Sequence, residues 1–333
     1  MTDLSFGVFY DFRNPAPWRR PWGQRYGELL EQARWIDREM SAYESVWLSE
    51  HHFLDDGYSP GVMPVLGSLA STTERVGIGT NIMQLPLHNP LRVAEDALTV
   101  DALSGGRLRL GVANGYREEE FLGLGTSLRD RRARMEEAVP ILRAAFAGER
   151  VAGHGAHFAF PEVSVTPYPD EPNRIEVWMG GNALPAIDRA ARLGDGFLTD
   201  NHPNTLQYLE ACERHGVPAD RRRVCRVLWA LITDDPEEAL ARLGPHIVYQ
   251  INGFIDWGYL DMPYFEDAQS IVDLGLYPIV DAAGAKVMID EATAVGVDEF
   301  QFFAVVPGED IESSAARLEY IAERLIQPLA AVA

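Results

Sequence analysis

The chain has 333 residues, 47% of them hydrophobic and 24% charged, which is enough apolar material for a large core and an ordinary charge content for a globular protein. Its 29 basic residues face 50 acidic ones, and a formal charge of −21 argues against nucleic acid or an anionic membrane as a partner. No apolar run is long enough to cross a bilayer, Met1–Tyr10 does not read as a signal peptide, and the distant Cys212 and Cys225 make no disulfide framework, so a cytoplasmic setting is expected.

Short apolar runs alternate with amphipathic stretches along the chain, the mark of βα repetition. Ser5–Tyr10 reads as a first strand, and Tyr26–Ala42 follows as a helix with Leu29, Ala33, Ile36 and Met40 at helical spacing. Ser45–Ser49 and Val76–Leu85 read as the next strands, with a helix over Val62–Thr73 between them. Pro90 opens another helix where its missing N–H is tolerated, and Ser104-Gly105-Gly106 ends it. Leu108–Val112 is a fourth strand, and Arg129–Ala147 a helix with a kink expected at Pro140. Val151–Pro169, rich in Gly, Pro and aromatics, reads as a β-hairpin insertion. Strands at Glu176–Met179, Gly196–Leu198 and Arg223–Ile232 then alternate with helices at Leu184–Leu193 and Thr205–His215. Pro236–Leu243 begins a helix, and Gly244–Pro278 reads as irregular and crowded with aromatics. Helix Ala282–Val295, strand Glu299–Val305 and helix Ile311–Leu325 complete the series.

Eight strands with helices between them is the closure number of the α/β barrel. The expected fold class is therefore α/β, a (β/α)8 TIM barrel in one domain over 1–333, with insertions near 151–169 and 244–278. An open doubly wound sheet is the rival, but no Gly-x-Gly-x-x-Gly follows the first strand. The single lysine, Lys286, sits in an amphipathic helical stretch rather than at a strand end, which disfavours Schiff-base chemistry.

Working residues of such a barrel lie beyond the C-terminal ends of strands. The richest of these points is Glu50-His51-His52-Phe53, where a carboxylate and two imidazoles suited to proton transfer adjoin the second strand. As chain neighbours the two histidines point to opposite sides, so a shared metal is not expected. His154 and His157 have a ligand spacing but fall in the expected hairpin, and no metal is assigned to them. Gly180-Gly181-Asn182, just before a helix, can hold a phosphate with backbone N–H groups, and the Arg129–Arg134 cluster can supply a clamp.

Taken in order, several segments resemble the bacterial luciferase-like flavin monooxygenases. They are Glu50-His51-His52-Phe53, the run Gly79-Thr80 to Leu85-Pro86 to Asn89-Pro90, Ser104–Gly111, Gly125-Thr126 to Arg132, and Gly180-Gly181 to Ala190–Gly196. The resemblance resumes at Val295–Phe300. It implies that His51 is the catalytic histidine, with His52 and Glu50 in its motif. It implies a cis peptide at Asn81–Ile82 beneath a flavin, with Ala113, Asn114, Met179 and Gly180 around the cofactor. The flavin phosphate would lie against Gly181, Asn182, Ala183 and Arg132. The luciferase α chain has arginine where this chain has Asn114, and hydroxyl side chains in the phosphate turn where this chain has Ala183 and Ala186. The cofactor is therefore expected to bind transiently and reduced.

The activity so implied is oxygenation of a small, apolar organic substrate by dioxygen, through a flavin C4a-peroxide formed on reduced FMN from a separate reductase. A deazaflavin-dependent hydride transferase and a weakly active flavin-binding partner subunit are the alternatives. The substrate pocket is expected between the loop carrying Trp18 and Trp22 and the aromatic segment carrying Tyr249, Phe254 and Trp257. Family members dimerise through the second and third helices, and the small residues Gly67, Ser68, Ala70 and Ser71 allow a homodimer here.

Overall fold

The computed structural model describes residues 4–331. Along the chain β1 (Ser5–Tyr10) leads to α1 (Trp22–Glu39), β2 (Ser45–Leu48) to α2 (Val62–Thr72), and β3 (Gly77–Thr80) to α3 (Pro90–Ser104). Then β4 (Leu108–Val112) is followed by α4 (Glu118–Gly123) and α5 (Arg131–Phe146). An antiparallel hairpin, β5 (Arg150–His154) with β6 (Ala159–Ser164), precedes β7 (Glu176–Gly180) and α6 (Leu184–Leu193). Next come β8 (Gly196–Thr199), α7 (His202–Arg214) and β9 (Val224–Leu228). The short β10 (Leu231–Ile232), α8 (Pro236–Asp256), α9 (Ala268–Asp273) and β11 (Ile279–Val280) form an excursion before α10 (Ala282–Ala294), β12 (Glu299–Phe303) and α11 (Ile311–Ile321). Eight parallel strands close in the order β1-β12-β9-β8-β7-β4-β3-β2, the α/β barrel.

Strand burial explains the near-continuous apolar runs, because each strand faces the barrel interior on one side and a helix on the other. The outward residues Val8, Val46, Ile78, Leu110 and Val177 join one core cluster with Leu29, Ala33 and Ile36 of α1. The interior is filled by Trp47 and Trp178, whose rings meet edge to face at 6.3 Å. Each removes roughly 200 Å² from water, about 5 kcal/mol at 25 cal/mol/Å². Gly79 and Gly196 make the room: a Cβ there would lie 2.8 Å from the Trp47 ring and 2.5 Å from the Trp178 ring. Arg109 is wedged over both indoles at 5.2 and 5.8 Å and pairs with the buried Glu299 at 2.6 Å, so this charge is neutralised inside the barrel.

Several elements differ from their sequence reading. The third strand stops at Thr80, and Leu85–Leu87 is a 3-10 turn, because its apolar run continues into a buried loop. The segment read as one strand over 223–232 is two, and β10 leaves the barrel to pair with β11. The largest difference is α8, which runs to Asp256 through Gly244 and Pro245. Those two residues read as terminators, yet Leu243, Ile247, Ile251 and Phe254 lie buried at helical spacing and packing outweighs the local cost. Among the described residues no helix is long and apolar enough to cross a membrane.

Candidate active site

A cavity of about 380 Å³ opens at the C-terminal end of the barrel. Its walls are largely aromatic and aliphatic, among them Phe9, Tyr58, Trp229, Phe254 and Phe303. Polar groups reach it from the ends of β2, β3, β4, β7 and β8.

Beyond the end of β2, His51 and His52 enter different networks. His51 Nδ1 lies 2.8 Å from Glu120 Oε1 in α4, and the same oxygen accepts the His52 backbone N–H at 2.8 Å. Arg117 Nη1 approaches it at 3.3 Å. Burial pushes the Glu120 carboxyl upward, but the hydrogen bond and charge attraction of His51, with the His52 N–H and Gln84, together outweigh this and hold it below the ordinary range. An ionised carboxylate only accepts, so His51 carries its proton on Nδ1 and turns Nε2 to Tyr116, whose hydroxyl is 3.4 Å away. Burial raises that phenol, so it stays protonated.

Glu50 is also buried, and its Oε1 meets His52 Nε2 at 3.1 Å and His88 Nε2 at 2.8 Å. Its Oε2 accepts the Gln84 N–H at 2.5 Å. Burial alone would raise this carboxyl, but His88 and His52 outweigh it and hold it at about 2. His88 is raised in turn: burial opposes its charge, and the Glu50 carboxylate more than compensates. The donor atoms of Glu50, His52 and His88 lie within 4.8 Å of one another, a separation a metal ion could also bridge. Both imidazole nitrogens are already at hydrogen-bond distance from one carboxylate oxygen, so the trio is satisfied without an ion.

The Asn81–Ile82 peptide is cis. Asn81 is fixed by Gln301 of β12, whose Oε1 accepts its amide at 2.9 Å while Gln301 Nε2 donates to Cys225 Sγ at 3.0 Å. Ala113 and Asn114 line the cavity after β4, and the Asn114 Oδ1 is buried without a partner among the described residues. At the other end Gly180, Gly181, Asn182 and Ala183 form the turn into α6, with Arg131 the one Arg or Lys of the cavity lining among the described residues. Asn182 Nδ2 donates to the Tyr259 hydroxyl at 3.1 Å, and Tyr259 donates to Asp200 at 2.5 Å, tying the segment after α8 over this end.

Some expected residues fall elsewhere. Arg132 lines a separate surface groove with Glu136 and Arg192, because one helical step from Arg131 turns it away. Met179 packs outward into the core. Trp22 is 42% exposed, and Trp18 stacks on His246 at 3.9 Å. Trp18 and Tyr249 line a second cavity, while Phe254 lines the first. Trp257 stands between the two cavities, 5.4 Å from the His51 ring. Glu120, Tyr116 and Gln301 are not singled out by the sequence, whereas Arg131 falls inside the expected Arg129–Arg134 clamp and Tyr259 inside the expected aromatic segment. Glu120 is the third residue of Glu118-Glu119-Glu120, a run that reads as a solvated helix start.

Comparison with known proteins adds four likenesses. The family model described as luciferase-like monooxygenase matches residues 4–321. The F420-dependent glucose-6-phosphate dehydrogenase of Beutenbergia cavernae is 32% identical over 180 residues, 52% of this chain and 52% of that protein. The match thus spans about half the length of that relative. The crystal structure of monooxygenase RslO1 from Streptomyces bottropensis superposes with a TM-score of 0.85 at 21% identity, covering 98% of this chain and 100% of that one. The oxygenating constituent of 3,6-diketocamphane monooxygenase from Pseudomonas putida, in complex with FMN, gives 0.76 at 16% identity, covering 98% and 99%. At these identities the two structures establish the fold.

Proposed function

The chain belongs to the luciferase-like monooxygenase family, and from that premise we propose that it is an oxidoreductase that uses reduced FMN, delivered by a separate reductase, to oxygenate a small organic substrate with dioxygen. The observation that carries this choice is the charge of the cavity lining: among the described residues one arginine, Arg131, stands against Glu50 and Asp200. A single phosphate is met by one guanidinium and the N–H groups leading into α6. A deazaflavin of the F420 type carries an acidic tail besides its phosphate. In the neighbouring surface groove Arg192 pairs with Glu136 at 2.8 Å and Arg214 with Asp188 at 3.3 Å, while Arg132 makes no ion pair among the described residues.

The residues present fit a flavin. Asn114 keeps an unpartnered buried oxygen toward the cavity, and a Cβ at Gly180 would lie 3.4 Å from Ile82 and 3.8 Å from Ala113, filling the floor. Asn81, Ile82, Ala113, Asn114 and Gly180 would hold the ring, and Gly181, Asn182, Ala183 and Arg131 the phosphate. Bound reduced flavin supplies the electrons that activate dioxygen. His51 holds a proton-transfer position at Nε2, Glu120 supplies its counter-charge, and Tyr116 donates or accepts at that nitrogen. The aromatic walls exclude water.

Hydride transfer with a deazaflavin is the second reading, favoured by the identity to the F420-dependent relative. Anaerobic titration with reduced FMN and, separately, reduced deazaflavin, followed by rapid mixing with oxygenated buffer, separates the two. Saturable binding of reduced FMN with altered reoxidation kinetics is expected. Binding of the deazaflavin alone would overturn the proposal.

A further inference from the structure

A second cavity, of about 600 Å³, lies beyond Trp257 from His51, between the loop after β1 and helix α8. Trp257 is the shared wall. Its ring is 5.4 Å from His51 and 5.7 Å from Tyr58 on one side, and 4.9 Å from the Arg13 guanidinium on the other. Trp18 and Tyr249 supply further aromatic surface, their rings 6.1 Å apart and edge to face.

The lining carries one guanidinium against three carboxylates, Asp55, Asp56 and Asp256. The guanidinium is spent: Arg13 is 1% exposed, pairs with Asp56 at 2.6 Å and lies beneath Tyr58, Tyr249 and Trp257. Arg19 neutralises none of the carboxylates, because it donates to the carbonyls of Asn14 and Asp55. Asp256 accepts the Tyr264 hydroxyl, and Asp55 remains exposed. The second observation is independent of this charge. Asp56 is 3% exposed and already accepts from Arg13 and Tyr249 on Oδ2, yet its buried Oδ1 has no partner among the described residues. Arg13 Nη1 is likewise without one. Buried polar atoms are nearly always satisfied, so an unpartnered acceptor and donor in residues lining one cavity mark unmet hydrogen-bonding capacity beside it.

We propose that this cavity is a substrate subsite for a planar aromatic group that is neutral or positively charged, held on Trp18 and Tyr249 and separated from His51 by Trp257. Aromatic faces attract such a group and the carboxylates repel an anionic one. The word substrate rests on the function proposed above, but the binding does not require it.

The test is calorimetric titration of the full chain with three matched probes: 1-naphthylmethylammonium, 1-naphthalenemethanol and 1-naphthoate. The amine should bind about tenfold more tightly than the carboxylate, a difference within reach of one desolvated cation–π contact. The double variant Asp55→Asn, Asp256→Asn should abolish that preference, and Trp18→Leu should weaken all three probes. Saturating FMN should leave the amine bound, because the two cavities are distinct. Equal binding of amine and carboxylate, displacement of the amine by FMN, or Trp18→Leu binding like the parent would each overturn the proposal. The same titration shows whether FMN itself binds, so failure of the flavin reading is seen separately.

Discussion

Replacing Glu120 by Gln keeps the shape of the side chain and removes its charge. Three donors converge on one oxygen of this carboxylate: His51 Nδ1 at 2.8 Å, the His52 N–H at 2.8 Å and Arg117 at 3.3 Å. A bond to a charged acceptor contributes about 1.5–3 kcal/mol and a neutral one about 0.5–1.5, so the imidazolium of His51 loses about 1–2 kcal/mol. That corresponds to roughly five- to thirtyfold in any step that needs the imidazolium, at about 1.4 kcal/mol per tenfold. The assay is dioxygen consumption with saturating reduced FMN, alongside flavin affinity and the melting temperature. Glu120→Ala breaks the buried pair outright and should cost about 3–5 kcal/mol of stability, so the Gln variant carries the argument. Identical rates for Glu120→Gln and the parent, at equal flavin occupancy and equal stability, would refute the positioning role.

The Glu50 carboxyl falls from an ordinary 4.5 to about 2 on folding, about 2.5 pH units and so about 3 kcal/mol at 1.36 kcal/mol per unit. Its pKa is depressed, so this stability is present above pH 4.5 and lost as pH falls toward 2. His88 is raised from 6.5, so its share is present below that pH and lost as pH rises through the folded value. Thermal melts of Glu50→Gln should therefore fall furthest below the parent between about pH 4.5 and 6.5, and a pH-independent difference would count against the pair. Arg131→Gln should weaken FMN binding about tenfold and Arg132→Gln should barely change it, measured by equilibrium titration; equal effects would return the phosphate to Arg132. Gln301→Leu should cost about 1–3 kcal/mol in chemical denaturation, because the half-buried Asn81 amide loses its acceptor and Gln301 is itself fully buried, and an unchanged midpoint would deny that link.

The barrel was legible because strand burial on two faces writes apolar runs and helices write a 3.6 period, and both signals are local. Strand ends were legible for the same reason, which is how Glu50, His51 and the Gly180–Gly181 turn could be placed. What escaped is what the fold assembles from afar. Glu120 lies 69 residues from His51, and nothing around it distinguishes it from Glu118 and Glu119, which face water. Arg131 and Arg132 differ only in helical phase, and the phase was not readable because the helix start is set by the 3-10 turn Leu128–Asp130 before it. Helix α8 was hidden by Gly244 and Pro245, whose cost is repaid by packing that only the closed barrel provides.

Adjacent histidines with separate carboxylates also divide the labour of the site. Glu50 is committed to His52, His88 and the Gln84 amide, so it locks the end of β2 to the loop after β3 and has no free oxygen for chemistry at the cavity. Glu120 reaches His51 from the opposite side and from a different segment. A substitution at His52 should therefore act through stability and loop geometry, and one at His51 through proton transfer with the fold intact. The same separation fixes the phosphate end. Arg131 stands alone there, so cofactor affinity must draw heavily on backbone N–H groups of the Gly181–Ala183 turn. Those dipoles act at short range, whereas the guanidinium is weakened by salt, so FMN binding should lose only a modest fraction of its strength as ionic strength rises.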